Sequence, residues 1–399
     1  MKWRQDFPFL EGKTRCLYFD TAATAQKPRA VIDAISHFYA NEYATVHRGV
    51  YTRSLRATDL YASVREKARA FLGAAHGEEV IFTRGTTESI NLVAECFGKA
   101  FLQPGDEILV SGLEHHSNLV PWQWVCQERG CVLKMIPVDA NGDLILDTYQ
   151  SLLNPKTRLV ALAHIANSIG TLNPVREMIT QAHRVGACVL LDGAQSASHL
   201  AVDVQELDAD FFVFSGHKLY GPTGIGVLYG KKEWLEKMPP YQGGGDMVDV
   251  VHEQSATYQP LPLKFEAGTP LIAEVIGLGA ALDYLVACHV EQIAAHEMQM
   301  VELALARLQE IEGVRLMGSP KKRGAIVSFV IDRVHPLDLA TYLDLHQIAV
   351  RTGHLCAQPV MRHFGVSGMV RLSFGLYNTL EEVEEFFATL VEILPSIRL

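Results

Sequence analysis

Ser215-Gly216-His217-Lys218-Leu219-Tyr220-Gly221-Pro222-Thr223-Gly224 joins two apolar runs, Phe211 to Phe214 and Ile225 to Tyr229, and sets one lysine at the junction. Short runs rich in aromatic and β-branched residues, bounded by glycine and proline, read as buried strands. A lysine held between such strands loses hydration, which depresses its pKa and frees the nitrogen lone pair. Covalent capture of an aldehyde as a Schiff base is the commonest use of that nitrogen. The plain alternative is a solvated lysine on a hairpin turn, and the rest of the chain has to decide between them.

Working outward, short apolar runs alternate with helical patterns from Leu17 to Gly230. Val80 to Phe82, Ile108 to Val110, Leu159 to Leu162 and Val189 to Leu191 read as further buried strands. Ile90-Val93-Phe97 and Val175-Ile179-Ala182 repeat at helical spacing between them. Such alternation implies an α/β fold with a mainly parallel sheet covered on both faces, its ligands gathering where strands end. Pro239-Pro240 and Gly243-Gly244-Gly245 break the pattern, and Asp246 to Leu263 reads as an extended excursion. Beyond Pro270 one long helical stretch is expected from about Ile272 to Ile311. Strands at Ala325–Ile331, Ile348–Arg351 and Met369–Phe374 follow, with helices at Leu337–Leu345 and Leu380–Leu394, as in a smaller α+β domain.

With 399 residues the chain is long for one core and suggests two domains. The expected division is a large domain over 15–265 and a small C-terminal domain over 266–399, with 1–14 packed on the latter. Ile272 to Cys288 is the most hydrophobic window, but Glu274 and Asp283 within it indicate a packed helix, not a membrane span. A formal charge of −10 argues against a phosphate-backbone partner, so no nucleic acid is expected. The N-terminal residues lack signal-peptide or transit character, which gives a cytoplasmic expectation. Seven scattered cysteines without a C-x-x-C pair read as reduced thiols.

Several stretches converge on a phosphorylated aromatic aldehyde. Thr83-Arg84-Gly85-Thr86-Thr87-Glu88 lies between a strand and a helix expected to start near Ser89, and free N–H groups there suit a phosphate. An ordinary N-cap with an acidic first turn fits the same residues. Asp192 ends a strand, with Gln195 three positions on. A carboxylate there can keep a ring nitrogen protonated, as in pyridoxal enzymes, or can simply cap the next helix. Ser215 and His217 add donors beside Lys218. In Glu114-His115-His116-Ser117-Asn118, adjacent histidines point different ways and no third ligand sits at zinc spacing, so no metal is expected. His115 reads instead as an aromatic lid able to shuttle protons, and Asn167 as an orienting amide.

Arg351-Thr352-Gly353-His354-Leu355-Cys356-Ala357 leaves a strand carrying a thiol between Arg351 and His354. That is either an activated nucleophile or a buried cysteine ahead of a helix at Pro359. Arg371, alone in an apolar strand, suits a carboxylate clamp or a structural salt bridge.

In this order, the motifs Asp20-Thr21-Ala22-Ala23, Val46-His47-Arg48-Gly49, Gly85-Thr86-Thr87-Glu88, Glu114 to Asn118, Asp192-Gly193-Ala194-Gln195, Ser215 to Gly224, Phe265-Glu266-Ala267-Gly268-Thr269 and Arg351 to Cys356 span nearly the whole chain. Together they resemble the fold-type I, aminotransferase-class-V pyridoxal-phosphate enzymes, and within these the group II (SufS-type) cysteine desulfurases, which include selenocysteine lyases. The resemblance implies a large domain with a mainly parallel seven-stranded sheet and a smaller α+β domain. It implies that Lys218 binds pyridoxal 5'-phosphate and moves protons. Asp192 would pair with the ring nitrogen, Gln195 with the ring oxygen, and His115 would stack on the ring. Thr86, Thr87, Ser215 and His217 would hold the phosphate, with Thr269 reaching the site of a partner subunit in a homodimer. Arg371, Asn167 and Arg351 would bind substrate.

The implied reaction converts L-cysteine to L-alanine with a persulfide on Cys356, for iron–sulfur cluster assembly through a SufE- or SufU-like acceptor. The alternative is a selenocysteine lyase or another class V lyase. One departure is visible: relatives usually carry a second histidine where this chain has Leu355.

Overall fold

The computed structural model describes residues 3–12 and 16–398. The limits expected at residues 14 and 15 therefore lie outside the described residues. The central strands are buried on both faces. Phe212 and Phe214 join one apolar cluster with Leu162, Leu191 and Val227, while Phe211 and Val213 join another with Ala161, Leu190 and Leu228. Successive side chains leave opposite faces of a strand, so this division is what a sheet covered on both sides requires.

The large sheet has seven strands, in spatial order Val80–Thr83, Gly226–Gly230, Phe211–Ser215, Cys188–Asp192, Thr157–Ala163, Glu107–Ser111 and Val132–Ile136. The last five are parallel, while Gly226–Gly230 runs antiparallel to both of its neighbours. The 216–225 link is too short for a parallel crossover, so the strand after Lys218 must turn back. Gly226 lies so close to Gly85 that a Cβ there would sit 2.5 Å from the Gly85 Cα. Only glycine lets the loop before the helix Thr86–Phe101 approach the sheet this closely.

A second, antiparallel sheet takes the order Val314–Leu316, Ile326–Ile331, Met369–Ser373 and Arg351–Gly353. Helices Val290–Gln309, Pro336–Leu345 and Leu380–Ile397 share its apolar cluster. Leu17–Tyr18 pairs in parallel with Ile348–Ala349, and Asp20 bridges Ser373, so the N-terminal segment is fastened to this sheet.

Three expectations are corrected. The stretch 272–311 is two helices, Ile272–Cys288 and Val290–Gln309, bent by 76°. His289 between them has φ +59°, a left-handed conformation that ends a helix. Leu282, Leu285 and Cys288 pack into the large-sheet cluster whereas Met300, Val301 and Leu308 pack into the other, so the two apolar faces could not share one straight axis. Among the described residues no single helix is long and apolar enough to cross a membrane; this bent pair reaches that length and composition only together. The expected strand 348–351 is two short ones, since Ile348–Ala349 and Arg351–Gly353 pair with different partners. The excursion at 246–263 contains a hairpin, Val248–Val251 with Ala256–Tyr258.

A buried ion pair ties the helix Thr52–Leu72 to the start of the 265–269 segment. Arg65 donates Nη1 and Nη2 to the two oxygens of Glu266 at 2.7 and 2.8 Å, and Glu266 also accepts from Phe82 N and Tyr61 Oη. Removing the carboxylate leaves a buried guanidinium without its counter-charge. Glu266→Ala is expected to cost about 3–5 kcal/mol in chemical denaturation.

On the sheet rim, His183 bonds Asp208 through Nδ1 (3.0 Å) and Asp210 through Nε2 (2.8 Å), which only an imidazolium can do with two donors. The hydrogen bond to Asp210, against the cost of burial, raises the His183 pKa above 6.5. Its contribution to stability is complete below pH 6.5 and lost as pH rises through the raised value. The thermal midpoint of His183→Gln is expected to lack this alkaline loss, as melting curves across that range would record.

Candidate active site

Ala163, Asp192 and Ser215 lie at the C-terminal ends of three adjacent parallel strands and line one cavity of about 480 Å³. The helix Thr86–Phe101 opens onto it at Thr86, not near Ser89, so its free N–H groups come from the Gly85–Thr87 turn itself. Thr86 N donates to Ser215 Oγ at 2.8 Å and the two hydroxyls lie 2.8 Å apart. Thr87 Oγ1 lies 2.7 Å from Ser117 Oγ. His217 lines the same end, with its carbonyl taken by Ala25 N, Thr24 Oγ1 and Lys27 Nζ.

Lys218 ends a single helical turn, Gly216–Lys218, directly after the central strand. Burial lowers its pKa and the Arg371 charge lowers it further, against the pull of Asp192, Cys356 and Asp20. Asp192 is raised by burial, with relief from Ala194 N and Lys218. The Asp192 Oδ1 atom accepts from Ala194 N at 2.9 Å. Gln195 is held by a bond from Nε2 to Ala22 O at 2.8 Å.

His115 lines the wall of the cavity. Its Nδ1 accepts from Ser117 N at 3.0 Å. Burial first, then Lys218, His116 and Arg371, push its pKa down to about 3, so the ring is neutral. Beneath it, buried Glu114 accepts from Ser111 Oγ, Asn118 Nδ2 and Ala163 N, which fixes the backbone that presents the ring.

The second sheet supplies the opposite wall. Arg371 is buried; Nη1 donates to Asn167 O at 2.8 Å and Nη2 to Asp20 Oδ1 at 3.1 Å, while Nε has no partner among the described residues. Asn167 donates Nδ2 to Leu355 O at 2.7 Å, and its Oδ1 has no partner among the described residues. Arg351 and Cys356 line the cavity as well, and Arg351 Nη1 lies 3.9 Å from Asp20 Oδ2. Twelve of the thirteen residues singled out from the sequence thus meet in one cavity, and Thr269 does not. Thr269 is exposed and lines a different recess with Arg84, Glu88 and Tyr241. Asp20 and Ser117 belong to the site yet had no assigned role. The signal for each was its place in a motif: Asp20 opens Asp20–Ala23, and Ser117 stands inside Glu114–Asn118.

The fit to a phosphorylated pyridine aldehyde rests on these observations. A buried acid without a side-chain partner among the described residues faces the cavity, hydroxyls and helix N–H groups gather at one end, and an amine whose pKa is lowered by burial shares the lining. A buried lysine set beside an acid and a helix N-terminus at the strand ends of an α/β fold is the class of site these features define. The aminotransferase class-V family model matches residues 17–386, and the chain belongs to that family.

A curated cysteine desulfurase of Dickeya dadantii (strain 3937) is 49% identical over 394 residues, covering 98% of this chain and 95% of that protein. The solved cysteine desulfurase CsdA of Escherichia coli, in an S-sulfonic acid form, aligns with a TM-score of 0.93 at 42% identity, covering 99% of this chain and 98% of that one. The apo cysteine desulfurase of Thermococcus onnurineus NA1 aligns at 0.94 with 39% identity, covering 99% and 98%. Other curated relatives are longer: the chain spans 56% of the Mycolicibacterium paratuberculosis protein and 63% of those from Mycobacterium leprae and Synechococcus elongatus.

The depressed Lys218 amine should react at neutral pH. Reductive methylation of cofactor-free protein with formaldehyde and cyanoborohydride is expected to modify Lys218 ahead of exposed Lys156, each unit of depression raising its neutral fraction about tenfold. Peptide mass spectrometry checks the order.

Proposed function

We propose that the protein is a pyridoxal-phosphate-dependent cysteine desulfurase that leaves alanine and a persulfide on Cys356. The observation that carries the reading is one cavity shared by Lys218, Asp192, Arg371 and Cys356. The desulfurase names of full-length relatives near 49% identity support it. The same residues favour the cofactor. Asp192 would hold the ring nitrogen, Gln195 the ring oxygen, His115 the ring face, and Thr86, Thr87, Ser215 and His217 the phosphate. When bound, pyridoxal phosphate supplies a carbonyl for amines and a ring that delocalises the electron pair left by Cα deprotonation.

The chain's own groups divide the remaining work. Arg371 Nε, without a partner among the described residues, is a free donor for the substrate carboxylate; Asn167 Oδ1 is an acceptor for a substrate N–H, and Arg351 lies in the same lining. Lys218 Nζ takes the α-proton, since burial lowers its pKa and favours the form with a free lone pair. Cys356 Sγ attacks the substrate sulfur. An S–S bond forms, the Cβ–S bond breaks with its pair left on carbon, and protonation yields alanine.

Partner readings follow from the same site. Cys356 sits on a short, bonded loop, so an acceptor of the SufE or SufU kind would have to come to it; iron–sulfur assembly is the proposed use. A homodimer accounts for exposed Tyr39, Tyr43, Val50, Tyr51 and Leu55 in one segment, and for Thr269 lying away from its own chain's cavity. Seven free cysteines favour a reducing compartment, which supports a cytoplasmic location.

Cys356→Ser is expected to retain the cofactor absorbance band and to lose alanine formation from cysteine by roughly a hundredfold or more. Selenocysteine cleavage that persists in that variant would mark the lyase as a side activity of the same site. Undiminished alanine formation would remove the nucleophile. Lys218→Ala is expected to lose the lysine-bound absorbance band, which spectroscopy of the purified variant checks directly.

A further inference from the structure

We propose that His116 is the positioning residue that holds Cys356 in its attacking register, an inference that rests on the desulfurase reading. Leu355 and Cys356 have φ of +52° and +53°, two consecutive side-chain-bearing residues in the left-handed region. Such a backbone persists only where its surroundings over-determine it. Here the restraints come from the large-sheet half. Asn167 Nδ2 donates to Leu355 O, and His116 N donates to Cys356 O at 2.8 Å.

The third restraint is a side chain. Gln358 N donates to His116 Nε2 at 3.2 Å. Gln358 opens the helix Gln358–Phe364, whose N-cap is Ala357 and makes no side-chain cap bond. Alanine cannot accept from the free N–H groups of a first turn, and Pro359 has none to offer. His116 therefore caps this helix from another part of the chain, and so grips the polypeptide at the Cys356 carbonyl and again two residues on, while Asn167 holds the residue before the thiol. The His354 ring, 5.7 Å from that of His116 at 35°, packs beside it, and its Nδ1 accepts from Cys356 N at 3.2 Å. His116 does not line the cofactor cavity, and its bonds to the site run through the Cys356 loop.

A glutamine at 116 carries an acceptor about as far from Cα as Nε2, whereas leucine fills the space without one. In the holoenzyme, His116→Leu is expected to keep the lysine-bound absorbance band and the KM for cysteine while kcat for alanine formation falls about 10- to 100-fold. Hydrogen exchange in the 354–364 peptide should speed up in parallel, and His116→Gln should restore both. A leucine variant with native kcat and exchange overturns the proposal, as does a glutamine variant no better than leucine. If exchange responds as expected but the parent holoenzyme forms no alanine from cysteine, the cap is supported and the desulfurase reading fails.

Discussion

Asp192, Lys218 and Arg371 share a cavity largely withdrawn from water, and the rest of the site is arranged around the cost of keeping them there. Burial works against the charge on all three. Each is relieved in part by another: Asp192 supports the lysine, and Asp20 supports the arginine. The relief is incomplete, since Arg371 Nε and Asn167 Oδ1 are buried without partners among the described residues. A cavity holding an unused guanidinium donor is prepared for an anionic guest. A phosphate at the Thr86 turn and a carboxylate at Arg371 would each supply what the protein withholds.

The fold explains why such a set can be assembled. Parallel strands end together, so Ala163, Asp192 and Ser215 reach one edge without any special loop, and Lys218 follows three residues after the last of these. The thiol and the guanidinium come from elsewhere in the fold. They are delivered by the second sheet, where Arg371 stands in the strand Met369–Ser373 and Cys356 follows Arg351–Gly353. The Leu17–Tyr18 pairing and the Asp20–Arg371 bond fix that sheet in place through the segment that leads into the large one.

Much of this was legible in the sequence because buried parallel strands are written as continuous apolar runs. The five central runs stand within a residue or two of their observed limits. Val132–Ile136 escaped notice because it is an edge strand, exposed at Val132 and Met135 and interrupted by Lys134. Helix continuity across His289 was misread for a related reason. The apolar period persists through the bend, and only the existence of two separate cores, which no local pattern encodes, turns the axis. The grouping of the site residues was readable through their motifs, but their mutual bonds were not. That Asp20 would neutralise Arg371, or that Asn167 would hold the cysteine loop by its amide, depends on contacts between residues 188 or more positions apart.

Leu355 shows how a departure from a pattern acquires a physical meaning. Its side chain is buried, 7% exposed, in the apolar cluster that includes Ala357, Val360 and Met361, while its carbonyl takes the Asn167 amide. The contact with the site is thus made by the backbone, which leucine and histidine supply equally. Burying a leucine side chain contributes roughly 1.5–3 kcal/mol, whereas a histidine in that cluster would need a polar partner for its ring. The substitution therefore exchanges a polar ring for anchoring strength in a loop that holds two left-handed residues. The imidazole functions near the thiol then fall to His354 and His116, which bond the loop at Cys356 N and Gln358 N.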